Sequence, residues 1–554
     1  MASLVQEVSE ENLMRSTRTI AQWVRLSGTP EERQAFDWIE GEMKGYGLRT
    51  ERYSFASLVS WPETASLQVG GEDVPCATHA FATSTPPEGI EAELVYCGRG
   101  TPAELEQARG KIALIDGIVA PNRNLLAEAA GVVASIWIAG EQLHERILSP
   151  VWGTPTPETA HLLPKTPSLS VKGDVGARLK ASLPATARIQ TKVYRGWNQL
   201  PCLTAQLDAP NGDGTFVMFS GHVDSWYYGA MDNGTANATM LEVARIMAGH
   251  RGELRRGLRV CFWSGHSHGR YSGSTWYADN FWQDLHDHCA AHVNVDSVGG
   301  KGATLLSEGN SMAEIRGYAD AILAEQTGQH LEYRRYGRSG DQSFWGHGIP
   351  SLFMSLSEQP AENADPVLAA LHHQISGGQG GSGGLGWWWH TPEDLPDKID
   401  PAYLRRDAAV YVLAVHGLLT AERLPFDYEP VAAELEAAMQ SIAANFDLAA
   451  AFAALAGFRE ALKGLPTLPP AAYNRALVGV GRALIPVNYA RSGLFDHDLA
   501  VPTAVLPGLQ AAKDLTGLKG DMKEFTRTRL VRERNRLVHA LREATAAVTG
   551  AGGA

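Results

Sequence analysis

Residues 219–234 read FSGHVDSWYYGAMDNG, directly after the apolar residues Phe216, Val217 and Met218. An apolar run that passes into Ser220 and Gly221 predicts a buried strand stopping at a turn. If the backbone stays extended, the period of two puts His222 and Asp224 on one face. Asp232 follows across a loop, and DNGTANATMLEVARIM then predicts a helix start, with Asn233 or Thr235 as N-cap. Met240, Leu241, Val243, Ala244 and Met247 supply its apolar face. One histidine and two aspartates thus gather where a strand hands over to a helix, the usual place for a ligand site in an α/β sheet.

Working outward, three more strand-like runs follow: LRVCFW (258–263), AAHVNVD (290–296) and IPSLFM (349–354). Helical patterns at 236–249, 274–288 and 311–327 separate them. This alternation predicts an α/β fold, a mixed and mostly parallel sheet flanked by helices. Several of the strands run into chemical groups. LRVCFW leads into SGHSHGRYSGS with His266 and His268, and AAHVNVD ends on Asp296. His390 stands behind three tryptophans in WWWHTPEDLPDKID, just after the glycine-rich stretch 377–386, which is read as flexible and carries no phosphate motif.

Upstream, residues 8–27 and 30–48 read as amphipathic helices and 49–70 as strands. From about 75 to 195 short strands alternate with Gly and Pro turns, as in a small β-rich module inserted into the host. His79, His144 and His161 are isolated there and are read as ordinary core or surface histidines. After 426 the chain turns Ala- and Leu-rich, with helices near 429–444, 447–463 and 521–548, a helical bundle. The resulting domain expectation is 1–60 with 196–425 as the α/β host, 61–195 as the insert and 426–554 as the bundle.

Composition narrows the function classes. A chain of 554 residues needs more than one core. Its net charge of −13 is spread over many segments and supplies no basic groove for nucleic acid. Five scattered cysteines without a CxxC pair read as buried thiols in a reducing, cytoplasmic setting. The charged N-terminal segment lacks an apolar core of signal or anchor type, and no apolar run reaches the length of a membrane span.

His222, Asp232, Asp296 and His390, with His266 or His268, form a metal-ligand inventory. Imidazole with carboxylate suits zinc, and also manganese, cobalt or iron. Asp232 is the natural bridge if two ions bind, and Asp224 would orient His222.

GHVDSWYYGAMDNGTANA, FWSGHSHGRYSGSTWYA, NVDSVG and HTPEDLPDKID resemble, in that order, the metal-site segments of the co-catalytic zinc aminopeptidase family. The branch is similar to glutamate carboxypeptidase and the transferrin receptor. The resemblance implies a protease-associated insert, a helical dimerisation domain and hence a homodimer. It implies one metal on His222, Asp232 and Asp296, and a second on Asp232, His390 and a residue of SGHSHG. GDQSFWGHGIPSL is similar to a segment lining the substrate pocket, which would let Arg338 meet a substrate carboxylate.

The family carries two adjacent glutamates after the second strand, one the general base and one a ligand. Here that segment reads Gly265, His266, Ser267, His268, Gly269, with one residue more before Gly273. The assignment preferred on sequence is His268 as ligand and His266 as base or supporting group. The expected activity is hydrolysis of an amide or peptide bond in a small peptide or amino-acid conjugate by a metal-activated water, with one or two divalent ions, zinc first. The competing expectation is a catalytically inactive scaffold of the transferrin-receptor type.

Overall fold

Two long strands organise the molecule. In this computed structural model, which describes residues 2–551 except 308, 333 and 376–381, β1 (Arg49–Val69) and β2 (Ala185–Leu207) pair antiparallel. Their register runs from Arg49 opposite Gln206 to Val69 opposite Ala187, with one shift between Pro62 and Thr64. Pro62 has no N–H to give to the ladder, which is where such a shift is expected.

The other edge of β2 is used twice. Its carboxyl-terminal end pairs antiparallel with β4 (Gly257–Trp263). Parallel to β4 runs β3 (Phe216–His222), then β5 (Cys289–Asn294) and the short β6 (Ser351–Leu352). Its amino-terminal end pairs with strand Ile90–Tyr96, followed in parallel by Ile112–Asp116, Ala134–Ile138 and Ser168–Val171. One sheet therefore passes through host and insert. β1 and β2 run unbroken across both sequence positions where a boundary is expected, 60/61 and 195/196, because two paired strands make a stiffer join than a loop.

Every residue of β3 and of β5 is buried, as for parallel strands covered on both faces. Helices α1 (Ala236–Gly249) and α2 (Pro401–Thr420) contribute to the same core, and α1 is buried on nearly all sides. The expected helix at 274–288 is two, Ser272–Asn280 and Trp282–His288, broken at Phe281. IPSLFM yields only β6. Of the glycine-rich stretch, residues 377–381 lie outside the described ones, and Ser382–Gly384 pairs with Gln359–Pro360.

The carboxyl-terminal region holds helices Glu429–Ile442, Ala449–Leu462, Pro470–Tyr489 and Gly520–Gly550. The third was not expected; it carries Gly479, Gly481 and, near its end, Pro486. Gly481 is there for contact: a Cβ would lie 2.7 Å from Tyr428 Oη and 3.0 Å from the Gly348 carbonyl. All five cysteines are free thiols. Among the described residues no helix is long and apolar enough to cross a membrane.

Candidate metal centre

The parallel strands deliver their chemistry at one edge. His222 is the last residue of β3 and stands beside Trp263, the last of β4. His266 follows Trp263 by three positions, and Asp296 follows the end of β5 by two. The three groups meet: His222, His266 and Asp296 each bring a ligand-type atom within 4.8 Å of the others. His222 Nε2 also lies 3.2 Å from Asp232 Oδ1 and 3.7 Å from Asp296 Oδ1. His390 Nε2 reaches the second oxygen of Asp232 at 2.9 Å. His222, Asp232, Asp296 and His390 are thus brought together as the sequence reading proposed.

His268 is not, and its expected place among the ligands is corrected. Its Nδ1 accepts from Ser27 N at 3.3 Å and lies 2.9 Å from Ser27 Oγ. The ring is fully buried against the edges of Trp226 and Trp61, at centroid distances of 4.4 and 6.0 Å. His266, expected as the base or a supporting group, takes its place in the cluster. Its ring stacks on that of His222, centroids 3.7 Å apart and planes within 14°. Gly265 makes this turn possible: φ is +79°, and a Cβ would fall 2.1 Å from Ser272 Oγ. Before Gly273, Arg270 and Tyr271 are both left-handed, at φ 51° and 68°.

Asp224 also acts differently from expectation. The group that accepts His222 Nδ1–H is its main-chain carbonyl, at 2.8 Å, while its carboxylate stands 3.7 Å from the same atom. The carboxylate instead accepts from His266 N at 3.2 Å, Ser267 N at 2.8 Å and Ser27 Oγ at 3.0 Å. It is the peg that shapes the GHSHG turn. Thr235 stands at the N-cap position of α1, as one of the two expectations had it, but its side chain makes no capping bond. Asn233 Nδ2 donates to the His222 carbonyl and Asn233 Oδ1 accepts from Ser297 N, whereas Thr235 Oγ1 donates to the Met231 carbonyl. Both residues serve the site loop.

Burial opposes every charge here, and the partners decide the balance. Burial disfavours imidazolium at His222, but Asp296, Asp224 and Asp232 outweigh it and hold the pKa well above the usual value. Asp232 is likewise desolvated, yet His222 and His390 pull it far below the usual carboxylate range. Burial alone wins at His268 and His390, which are lowered. The donor set fits a cation. His222 Nε2 and Asp232 Oδ1 are buried with no hydrogen-bond partner, and imidazole and carboxylate donors converge on them.

Several supporting residues were not singled out on sequence, although Asp394 and Asp341 lie in segments quoted for the resemblance. Asp394, of the HTPED motif, accepts from Met231 N at 2.8 Å and Asp232 N at 3.0 Å, and burial pushes it up to about 7. His144, read as ordinary, lies 2.6 Å by Nδ1 from the Trp389 carbonyl, one residue before His390. Asp341 lies 2.7 Å by Oδ2 from His266 Nδ1. Such partners lie far off in sequence and are chosen by packing.

The cluster opens into a cavity of about 140 Å³, roughly tenfold what one water needs. Asp232, His266, Asp296 and His390 line it, together with Arg146, Arg270 and Arg338. Each of these arginines has a buried Nε without a partner, and none forms an ion pair among the described residues. Arg338 lies between Trp152 and Trp345, 3.8 and 4.8 Å from their ring centroids, and donates to the carbonyls of Gln342 and Asp498. Burial lowers Arg146 and Arg338 to about 10, and Arg270 adds to the effect at both.

Comparison with known proteins agrees with this geometry. Residues 203–415 match the model of peptidase family M28. A probable glutamate carboxypeptidase of Zea mays, VP8, is 23% identical over 519 residues, covering 77% of this chain and 69% of that protein. Aminopeptidase YwaD of Bacillus subtilis is 22% identical over 417 residues, covering 72% of this chain and 82% of that protein. The solved structure of a zinc aminopeptidase from Bacillus subtilis shares the fold at a TM-score of 0.57 and 22% identity, over 74% of this chain and 95% of that one. Over residues 203–415, the stretch that carries most of the metal-type cluster, this chain is similar to peptidase family M28.

Proposed function

We propose that this protein is a zinc-dependent hydrolase that cleaves an amide or peptide bond in a small peptide or amino-acid conjugate carrying a carboxylate near that bond. The observation that carries the reading is one cavity lined both by Asp232, His266, Asp296 and His390 and by Arg146, Arg270 and Arg338, whose guanidiniums form no ion pair among the described residues. His222, Asp232 and Asp296 would hold one ion, and His390 with the second oxygen of Asp232 would face another. When bound there, zinc supplies Lewis-acid polarisation and makes water acidic near neutral pH.

The chain's own groups do the rest. Arg338, with Arg146 and Arg270, binds the substrate carboxylate, and the carbonyls of Gln342 and Asp498 keep Arg338 from swinging away. Trp226 and Trp389 wall the cavity and limit water. Asp224 fixes the GHSHG turn against the cluster.

The relatives named as glutamate carboxypeptidase and aminopeptidase support a peptide-type substrate. In the same reading, residues 61–195 are a protease-associated domain and the helices after 426 pair two copies. Exposed Met522 and Phe525, one turn apart on the last helix, support that pairing. The free thiols support a cytoplasmic setting. The test is a screen of N-acyl amino acids and short peptides, acidic against neutral, with the zinc-loaded protein. The expected result is zinc-dependent turnover favouring carboxylate substrates. A purified protein free of metal and unresponsive to added zinc overturns the reading and favours a scaffold.

A further inference from the structure

The structure assigns His266 as a metal ligand in place of the missing acid pair, with Asp341 as the residue that positions it. This rests on the hydrolase reading only in so far as an ion binds the cluster.

Three imidazoles at the site share one arrangement. His222 Nδ1 donates to the Asp224 carbonyl at 2.8 Å, and His390 Nδ1 to the Glu145 carbonyl at 2.7 Å. His266 Nδ1 meets Asp341 Oδ2 at 2.7 Å. A carbonyl or carboxylate can only accept, so in each ring the proton sits on Nδ1 and the lone pair on Nε2. For His222 and His390 that Nε2 is the atom directed at Asp232. The His266 ring lies parallel on His222, and one of its ring nitrogens falls in one group with His222 and Asp296. An imidazole whose far nitrogen is tied to a carboxylate is the usual form of a metal-ligating histidine.

Asp341 is itself held rather than borrowed from the surface. It is 1% exposed, and its other oxygen accepts from Ser274 Oγ at 2.8 Å. Ser274 Oγ lies 2.9 Å from Ser343 Oγ, which Trp152 Nε1 in turn reaches at 2.8 Å. The Asp341 backbone is left-handed at φ 57°, a region aspartate enters more readily than most residues with a side chain. The His–Asp pair therefore does with two residues what one glutamate ligand does: it places a lone pair and a compensating negative charge beside the cation. In His268, by contrast, Nδ1 accepts the Ser27 N–H at 3.3 Å with Asp224 Oδ2 at 3.4 Å, and the ring stands outside the group formed by His222, His266 and Asp296.

The experiment is competition for zinc between the purified holoprotein and a chromophoric chelator, with visible absorption of the cobalt-substituted protein as a second readout. His266→Ala and Asp341→Asn are expected to weaken zinc at least ~10-fold, the effect of losing a ligand or its partner. His266→Ala is also expected to alter the cobalt spectrum, which reports the donor set. Retention of wild-type zinc affinity and an unchanged cobalt spectrum in His266→Ala would overturn the assignment. Should that variant misfold, wild-type zinc affinity in Asp341→Asn overturns the positioning role. A wild-type protein that binds no zinc at all fails the hydrolase reading instead, so the two failures are told apart.

Discussion

His390 and Glu145 exchange two hydrogen bonds across 245 residues of chain: His390 Nδ1 donates to the Glu145 carbonyl at 2.7 Å, and Glu145 N donates to the His390 carbonyl at 2.9 Å. One partner belongs to the insert and the other to the metal-type cluster. The insert is thus built into the site, holding the ring of a candidate ligand through its main chain.

This makes Glu145→Pro informative, since it removes the N–H that reaches His390 and constrains the same turn. Zinc affinity is expected to fall about tenfold, as for loss of an orienting partner. Glu145→Gln keeps both main-chain bonds and should lose much less. Chelator competition on both variants decides it; equal affinities would show that the clamp is dispensable.

Removing the ion should cost stability as well as activity. Dialysis against a strong chelator is expected to abolish turnover and lower the melting temperature, because ligand binding to the folded state alone stabilises it. Re-addition of zinc should restore both. Asp232→Asn, which discharges the carboxylate shared by His222 and His390, is expected to cost at least ~100-fold in kcat/KM. Full activity after chelation would rule out the metal.

Replacing Arg338 by Met keeps most of its apolar contact with Trp152 and Trp345 and removes the guanidinium. KM for a carboxylate substrate should rise about 10- to 100-fold, the worth of one charged hydrogen bond, with kcat little changed. A matched neutral amide should be affected far less. Equal effects on both substrates would remove Arg338 from carboxylate recognition.

A buried acid away from the site yields a pH prediction. Burial pushes Glu314 up to about 8 from 4.5, Glu434 adds to the rise, and Arg316 and Arg335 oppose it. The folded state therefore holds this proton more tightly than the unfolded chain does. Its favourable share of stability is fully present below 4.5 and is lost as pH rises toward about 8. Glu314→Gln should raise the melting temperature more at about pH 9 than at about pH 4. A gain that is equal at both would contradict the buried neutral acid.

Much of the site was legible because its residues sit at the ends of apolar runs. FVMFSGH, LRVCFW and CAAHVN are buried throughout or nearly so, and such runs declare themselves in composition. Placing His222 and Asp296 at or just past the carboxyl ends of strands needed only the strand and turn pattern. That pattern also located α1 to the residue, 236–249. It failed on Pro470–Tyr489, where Gly481 answers to a neighbouring side chain and not to local geometry.

What the amino-acid sequence determined by itself is the order of elements and the identity of the groups at their ends, since burial and turn chemistry are local. The choice between His266 and His268 was decided only in three dimensions. The two histidines differ by two positions in an irregular turn, where no periodicity says which ring faces inward. Asp341 and Ser27 decide it, 75 residues after His266 and 241 before His268. The same holds for the arginines: Arg146, Arg270 and Arg338 come from distant segments, and only the closed fold brings them to the lining of one cavity.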